Sequence, residues 1–142
     1  MPVSKAHASW QGDIPTGSGE FSAGNNITGG VTYKSRFEDG PGSNPEQLIA
    51  AAHASCYSMA LASALAGAGH PATSIQTDAA VTLRPVDGVP TIIKIELTTT
   101  GTVAGIDQDQ FHEFAAGAKA GCPVSRALAG VPEITLQATL AG

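Results

Sequence analysis

Basic residues are scarce in this sequence. Seven Lys and Arg stand against twelve Asp and Glu, for a formal net charge of −5 at pH 7, with no long run of either sign. Binding a phosphate backbone needs a basic patch, so nucleic acid is excluded as a partner, whereas a small neutral substrate is not. Linkers, low-complexity tracts and internal repeats are also missing, and the 142 residues suit a single domain over 1–142. No run approaches the ~20 apolar residues that span a bilayer. The opening MPVSKAHASWQGD carries a lysine but no apolar stretch of the kind a secretory signal needs. The expectation is a cytoplasmic chain without a membrane partner. Cysteine is rarer still: Cys56 and Cys122 are the two, and no Cys-x-x-Cys is formed. In a reducing compartment two such cysteines are reactive or metal-binding more often than a permanent staple, although many are inert core residues.

What is present is apolar material, 42% of residues, in a clear order of periods. Lys5–Trp10 and Glu20–Ala23 read as short strands separated by turns. Val31–Phe37 alternates, with Val31, Tyr33, Ser35 and Phe37 on one face and Thr32, Lys34 and Arg36 on the other, and reads as a third strand. After the turn-rich Glu38–Ser43, Asn44 is an N-cap, Pro45 suits the first helical position and Glu46-Gln47 follow in the first turn. The helix should run about 22 residues to the Gly67/Gly69 pair before Pro71. Small residues on nearly every face make it a central, largely buried helix open to close crossings.

Beyond it, Ile75, Thr77, Ala79, Val81 and Leu83 share a strand face, Pro85–Pro90 turns, and Thr91–Thr99 returns with Ile93, Ile95 and Leu97 inward. Asp107 with Gln110 is a capping box for a helix whose stripe is Phe111, Phe114, Ala115 and Ala118. Cys122-Pro123 opens a short helix ended by Gly130, and Ile134, Leu136, Ala138 and Leu140 make a last strand. Strands, helix, strands, helices, strand: the fold class is α+β with mainly antiparallel pairing around a long central helix.

Four residues could carry chemistry. Cys56 sits mid-helix, where the dipole helps a thiolate little, so it is either a small hydrophobe or a nucleophile that needs a nearby cation. Cys122 at a helix entry can meet unpaired N–H groups, or be a plain entry residue. Arg36 could hold a thiolate and a peroxide oxygen with its planar fork, or be a solvated arginine. Glu46 could orient Arg36, or simply face the helix dipole. Glu46 and Cys56 lie about 15 Å apart along one helix at 1.5 Å per residue. They share a site only if Arg36 bridges or a second chain crosses, which favours a homodimer with shared sites. His53, Cys56 and Cys122, completed by His7 or His112, could also be read as zinc ligands, but no second compact ligand pair supports that set. His53 reads better as an interior histidine.

SRFEDGPGSNPEQLIAAAHASCYSMALA together with KAGCPVSRAL resembles the OsmC/Ohr family of osmotically inducible and organic hydroperoxide resistance proteins. The similarity runs through nearly the whole chain, and AAHASC and AGCPVS are nearer the OsmC branch than the Ohr branch. The resemblance implies an OsmC-like fold in an interwoven homodimer with sites at the subunit interface. It implies that Cys56 is the peroxidatic and Cys122 the resolving cysteine, and that Arg36 and Glu46 activate the thiol, with no metal or other cofactor. The implied function is thiol-dependent reduction of organic hydroperoxides, less well of hydrogen peroxide, in stress defence. A Cys56–Cys122 disulfide would then be reopened by a dithiol reductant such as a lipoylated or thioredoxin-like protein. Tyr57, Met59, Phe37 and Leu48 are candidates for an apolar substrate pocket. The competing readings are a non-enzymatic stress protein with structural cysteines and a zinc module through His53, Cys56 and Cys122.

Overall fold

The computed structural model describes residues 2–142, which fall into two compact units, residues 2–48 and 49–142. The first is an antiparallel meander of β1 (Ala6–Gln11), β2 (Ser18–Ala23) and β3 (Ile27–Val31), followed by a single helical turn, α1 (Tyr33–Phe37). The β1–β2 connection is tied by Asp13, whose carboxylate accepts hydrogen bonds from the backbone N–H (3.0 Å) and the hydroxyl of Thr16. Trp10 lies across Gly19, where an added Cβ would come within 2.8 Å of the indole.

The alternation over Val31–Phe37 does not make a strand: only Val31 belongs to β3, and Tyr33–Phe37 is helical. Thr32 is the reason. Its hydroxyl accepts from Ser35 N (3.1 Å) while the Ser35 hydroxyl accepts from Thr32 N (2.8 Å), a capping box that pulls the chain out of extended backbone. Tyr33 and Phe37 satisfy the helical i, i+4 spacing as well as a period of two, and their rings meet tilted at 41° with centres 5.0 Å apart. Arg36 therefore does not oppose Phe37; its guanidinium carbon sits 5.4 Å from the centre of that ring.

The long helix α2 (Pro45–Gly67) begins as its sequence indicates, with Asn44 Oδ1 accepting from Gln47 N at 2.8 Å. The boundary between the two units falls within it. It ends where Gly69 adopts φ +85° and His70 N donates to Leu65 O (2.9 Å), a left-handed glycine closure. Burial of α2 is narrower than expected. His53, Tyr57, Leu61 and Leu65, one every fourth residue, are fully buried, whereas Met59 is 74% exposed and most of the alanines are at least partly open. A second expectation also fails: α2 is long and apolar enough to cross a membrane by length and composition. Alanine-rich sequence is counted as apolar without looking so. The buried stripe instead joins the core cluster of the second unit, as a core helix of a globular fold does.

That unit is built on a second sheet of order β4-β5-β6, with β4 (Ala72–Val86), β5 (Val89–Val103) and β6 (Glu133–Leu140). The hairpin is longer than the turn residues suggest. Pro85 pairs with Pro90, and the turn is only Asp87-Gly88, both with positive φ (52° and 80°), the backbone a two-residue hairpin requires. Val81 faces Ile95 and Ala79 faces Leu97, while β6 runs parallel to β5 with Ile95 opposite Ile134. Parallel pairing needs a crossover, supplied by α3 (Gln108–Gly121) and α4 (Pro123–Ala127). Asp107 caps α3 through Gln110 (2.8 and 2.9 Å), and Phe111, Ala115 and Ala118 are its buried side. Ser58 of α2 donates to Thr77 of β4 (2.8 Å), and Tyr57 donates to Ala115 O of α3 (3.0 Å).

Candidate active site

Two clusters carry the candidate residues, one in each unit. In the first unit Arg36 and Glu46 form a clamp. Arg36 Nη2 donates to Glu46 Oε1 at 2.7 Å and Nε reaches both carboxylate oxygens at 3.3 Å. The capped turn α1 delivers the arginine, and Asn44, bonded through Nδ2 to Ser35 O (2.9 Å), fixes the start of α2 one turn away. The Glu46 side chain is 9% exposed and that of Arg36 35%, so the acid is an interior anchor and part of the guanidinium remains free. A fork held this way is positioned to offer its remaining N–H groups to an anion.

Arg36 also borders a cavity of about 390 Å³ whose apolar lining includes Trp10, Ile14, Phe21, Tyr33 and Phe37. Of Tyr57, Met59, Phe37 and Leu48, only Phe37 lines the cavity. Tyr57 is fully buried in the core, Met59 is open to solvent and Leu48 is 37% exposed. The sequence signal for this lining is the distribution of aromatics: four of the seven, Trp10, Phe21, Tyr33 and Phe37, precede the long helix.

The second unit holds both cysteines as free thiols, Cys56 half-buried on α2 and Cys122 fully buried at the junction of α3 and α4. Cys122 ends α3, its N–H donating to Ala118 O (2.9 Å), and precedes Pro123, the first residue of α4. Cys56 packs against the core cluster that contains Cys122. Burial pushes Cys56 up, the neighbouring Cys122 adds to that rise, and the Val124 N–H opposes it only in part. For Cys122, burial pushes up too, but the Cys56 thiol, the N–H and hydroxyl of Ser125 and the Val124 N–H outweigh it, and its pKa falls below the ordinary cysteine value. These α4 N–H groups lie near the sulfur without closing a formal cap hydrogen bond. Inside this unit the thiolate is thus better supported at Cys122, and Cys56 needs a cation to match it.

His53 is fully buried one helical turn before Cys56, and its Nε2 lies 2.7 Å from the Ser125 hydroxyl. Its Nδ1 has no partner, and burial lowers its pKa from 6.5. Among the described residues no group of three or more His, Cys, Asp and Glu side chains is arranged to hold a metal ion, so the His53/Cys56/Cys122 zinc set is not assembled. Ser125 was not singled out in the sequence. The spacing Cys-Pro-x-Ser is its signal, since it puts a hydroxyl in the first turn of a helix entered at cysteine.

Residues 38–137 match the family model described as OsmC-like protein. The chain is 46% identical over 134 residues to Peroxiredoxin OsmC of Escherichia coli (strain K12), covering 93% of this chain and 92% of that protein. Among solved structures, an OsmC-like protein of unknown function from Vibrio cholerae superposes with a TM-score of 0.76 at 15% identity, covering 97% of this chain and 99% of that one. An organic hydroperoxide resistance protein OsmC from Legionella pneumophila does so at 0.70 and 18% identity, over the whole of both chains. With a family match over residues 38–137 and 46% identity to a peroxiredoxin OsmC over nearly the full length of both, this chain belongs to the OsmC-like protein family.

Proposed function

We propose that the chain is a thiol peroxidase that reduces organic hydroperoxides, and less efficiently hydrogen peroxide, to alcohols. The observation that carries this reading is the pair of free thiols, Cys56 and Cys122, packed at one core in a chain 46% identical to a peroxiredoxin. The Cys56 thiolate attacks the peroxide O–O bond, taking one oxygen as sulfenic acid while the alcohol leaves with a proton. Arg36, oriented by Glu46, stabilises the thiolate and the oxyanion that develops on the leaving oxygen. The cavity beside Arg36 accepts the organic part of the substrate, which is why an alkyl or aryl hydroperoxide is favoured over hydrogen peroxide. Cys122 then condenses with the sulfenic acid to a disulfide and water, and a dithiol reductant reopens it. Lipoylated or thioredoxin-like proteins have the required chemistry. No cofactor enters this cycle.

We further infer that residues 1–142 act as one cytoplasmic, homodimeric OsmC-like domain with Arg36 and Glu46 serving a thiol site shared between chains. Support comes from the apolar face that α2 leaves open in the single chain. The test of the whole reading is a thiol count. One equivalent of cumene hydroperoxide should remove both thiols within one chain, and dihydrolipoamide or reduced thioredoxin should restore them. Unchanged thiols would support structural cysteines instead. For the shared site, refolding Cys56→Ser with Glu46→Ala should regain activity in heterodimers, up to about half of the sites at best. No regain would place all groups of one site in one chain.

A further inference from the structure

Cys122 is not held by its own helix alone. Behind it stands a short buried polar pair: Ser125 is the third residue after Cys122, in the first turn of the helix that Cys122 caps, and His53 Nε2 lies 2.7 Å from the Ser125 hydroxyl. His53 and Cys122 are fully buried and Ser125 is 8% exposed. A histidine in such a core costs desolvation and is retained only for a partner or a task. Its second nitrogen, Nδ1, has no partner, so the ring is aimed at Ser125 and at nothing else.

The direction of the chain follows from which atom is left bare. A buried N–H without an acceptor is costlier than a buried lone pair without a donor. The proton of neutral His53 therefore belongs on Nε2, pointing at Ser125 Oγ, and Nδ1 keeps its lone pair. Ser125 Oγ then accepts from His53 and has its own proton free to donate to sulfur. A donor chain ending on sulfur favours a thiolate over a thiol. Burial keeps the imidazole neutral, so it acts as a fixed donor and not as a base.

We propose that His53 and Ser125 are positioning residues for the resolving step, a buried donor chain that holds Cys122 as the thiolate ready to close the disulfide. This rests on the peroxidase reading for its biological setting. In the step itself the Cys122 sulfur pair forms the S–S bond to the Cys56 sulfenic sulfur, the S–O bond breaks, and the departing hydroxide takes a proton from solvent to leave as water. The Cys122 proton has already gone to solvent, so the sum is thiol plus sulfenic acid to disulfide plus water. Ser125 opens onto a cavity of about 360 Å³ that also includes Lys119 of α3 and Arg126 of α4, the wet end of the chain. The other groups that bear on Cys122 are the Cys56 thiol and Tyr57 of α2 and the Val124 and Ser125 N–H groups of α4. The β6 side of the cavity is apolar, at Ile134.

The experiment separates disulfide closure from peroxide attack. Wild type, Ser125→Ala, His53→Leu and His53→Gln are oxidised with one equivalent of cumene hydroperoxide and quenched over time with dimedone and maleimide, from pH 6 to 10. Sulfenic acid should form equally fast in all four. Closure should slow about tenfold in Ser125→Ala at pH 7, the order expected for one lost hydrogen bond to a charged group, and recover at high pH. His53→Gln keeps a side-chain N–H near the Nε2 position without a titrating ring, and should close nearly as fast as wild type, whereas His53→Leu behaves like Ser125→Ala. A closure rate and pH profile unchanged in Ser125→Ala would overturn the proposal, and so would His53→Gln failing as badly as His53→Leu in a folded protein. Diamide, an azo oxidant that closes dithiols without peroxide, gives the same comparison. If peroxide leaves wild-type thiols intact but diamide still shows the Ser125→Ala shift, the peroxidase reading falls and the donor chain stands.

Discussion

The Arg36–Glu46 clamp is asymmetric, and its two halves should not cost the same to remove. Glu46 is an interior carboxylate held by a guanidinium that contacts both its oxygens, with the side chain only 9% exposed. Arg36→Ala leaves that charge without its cation. Breaking a buried pair in this way costs about 3–5 kcal/mol. The figure is reduced here because Arg36 is about one-third exposed and because Glu46 lies in the first turn of α2, where helix N–H groups partly compensate. A loss of about 2–3 kcal/mol remains. In Glu46→Ala the freed arginine can turn to water, and the cost should be nearer 1 kcal/mol. The double variant Arg36→Ala/Glu46→Ala strands no charge, and should be more stable than Arg36→Ala alone. At about 2–4 °C per kcal/mol for a chain of this size, Arg36→Ala lowers Tm by about 8 °C and the double variant recovers several degrees of it. Thermal melts followed by circular dichroism, with all thiols kept reduced, complete the cycle. If the two single losses are equal and simply add, Glu46 is not an interior anchor and the clamp is a surface ion pair.

Other outcomes follow from the thiols, the pocket and the histidine. Cys56→Ser should lose turnover altogether; activity within tenfold of wild type would rule out Cys56 as nucleophile. Cys122→Ser should consume one peroxide per chain and leave a dimedone-reactive sulfenic acid on Cys56, and mass spectrometry of the adduct decides it. Phe37→Ala opens the apolar cavity beside Arg36 and should reduce the preference for cumene hydroperoxide over hydrogen peroxide by about tenfold, read as a ratio of kcat/KM; an unchanged ratio would put the substrate elsewhere. Burial lowers the His53 pKa, so the unfolded chain binds a proton that the folded chain refuses. Stability from this source is present above pH 6.5 and is lost as pH falls below it. Urea midpoints between pH 7.5 and 5 should fall less in His53→Gln than in wild type.

Capping residues were the most legible part of the chain. Asn44, Asp107 and Gln110 form local hydrogen bonds with their own helices, which require nothing from the rest of the fold. Thr32 belongs to the same class but was masked by an alternation that a five-residue helix and a strand can both satisfy. Cys56, Cys122, Arg36 and Glu46 stand out as residue types in a motif, and the Arg36–Glu46 contact could be anticipated from charge alone. The parallel placement of β6 could not, because it depends on where α3 and α4 carry the chain and not on any residue in Glu133–Leu140. Ser125 was invisible for a related reason: its meaning comes from His53, which lies 72 positions earlier.

That parallel strand has a kinetic consequence. The β4–β5 hairpin is closed by a two-residue turn and zips locally, whereas Lys94 meets Glu133 only after α3 and α4 have been laid over the sheet. Closing the longer loop costs more chain entropy, and pairing at such separation is slow. We therefore expect β6, and with it the crossover that seats Cys122, to be among the last parts of this unit to order. Pulse-labelling hydrogen exchange during refolding should protect the hairpin amides before those of Glu133–Leu140; the reverse order would contradict the argument. A chain that acquires its second thiol partner so late passes through its early folding with Cys56 unescorted.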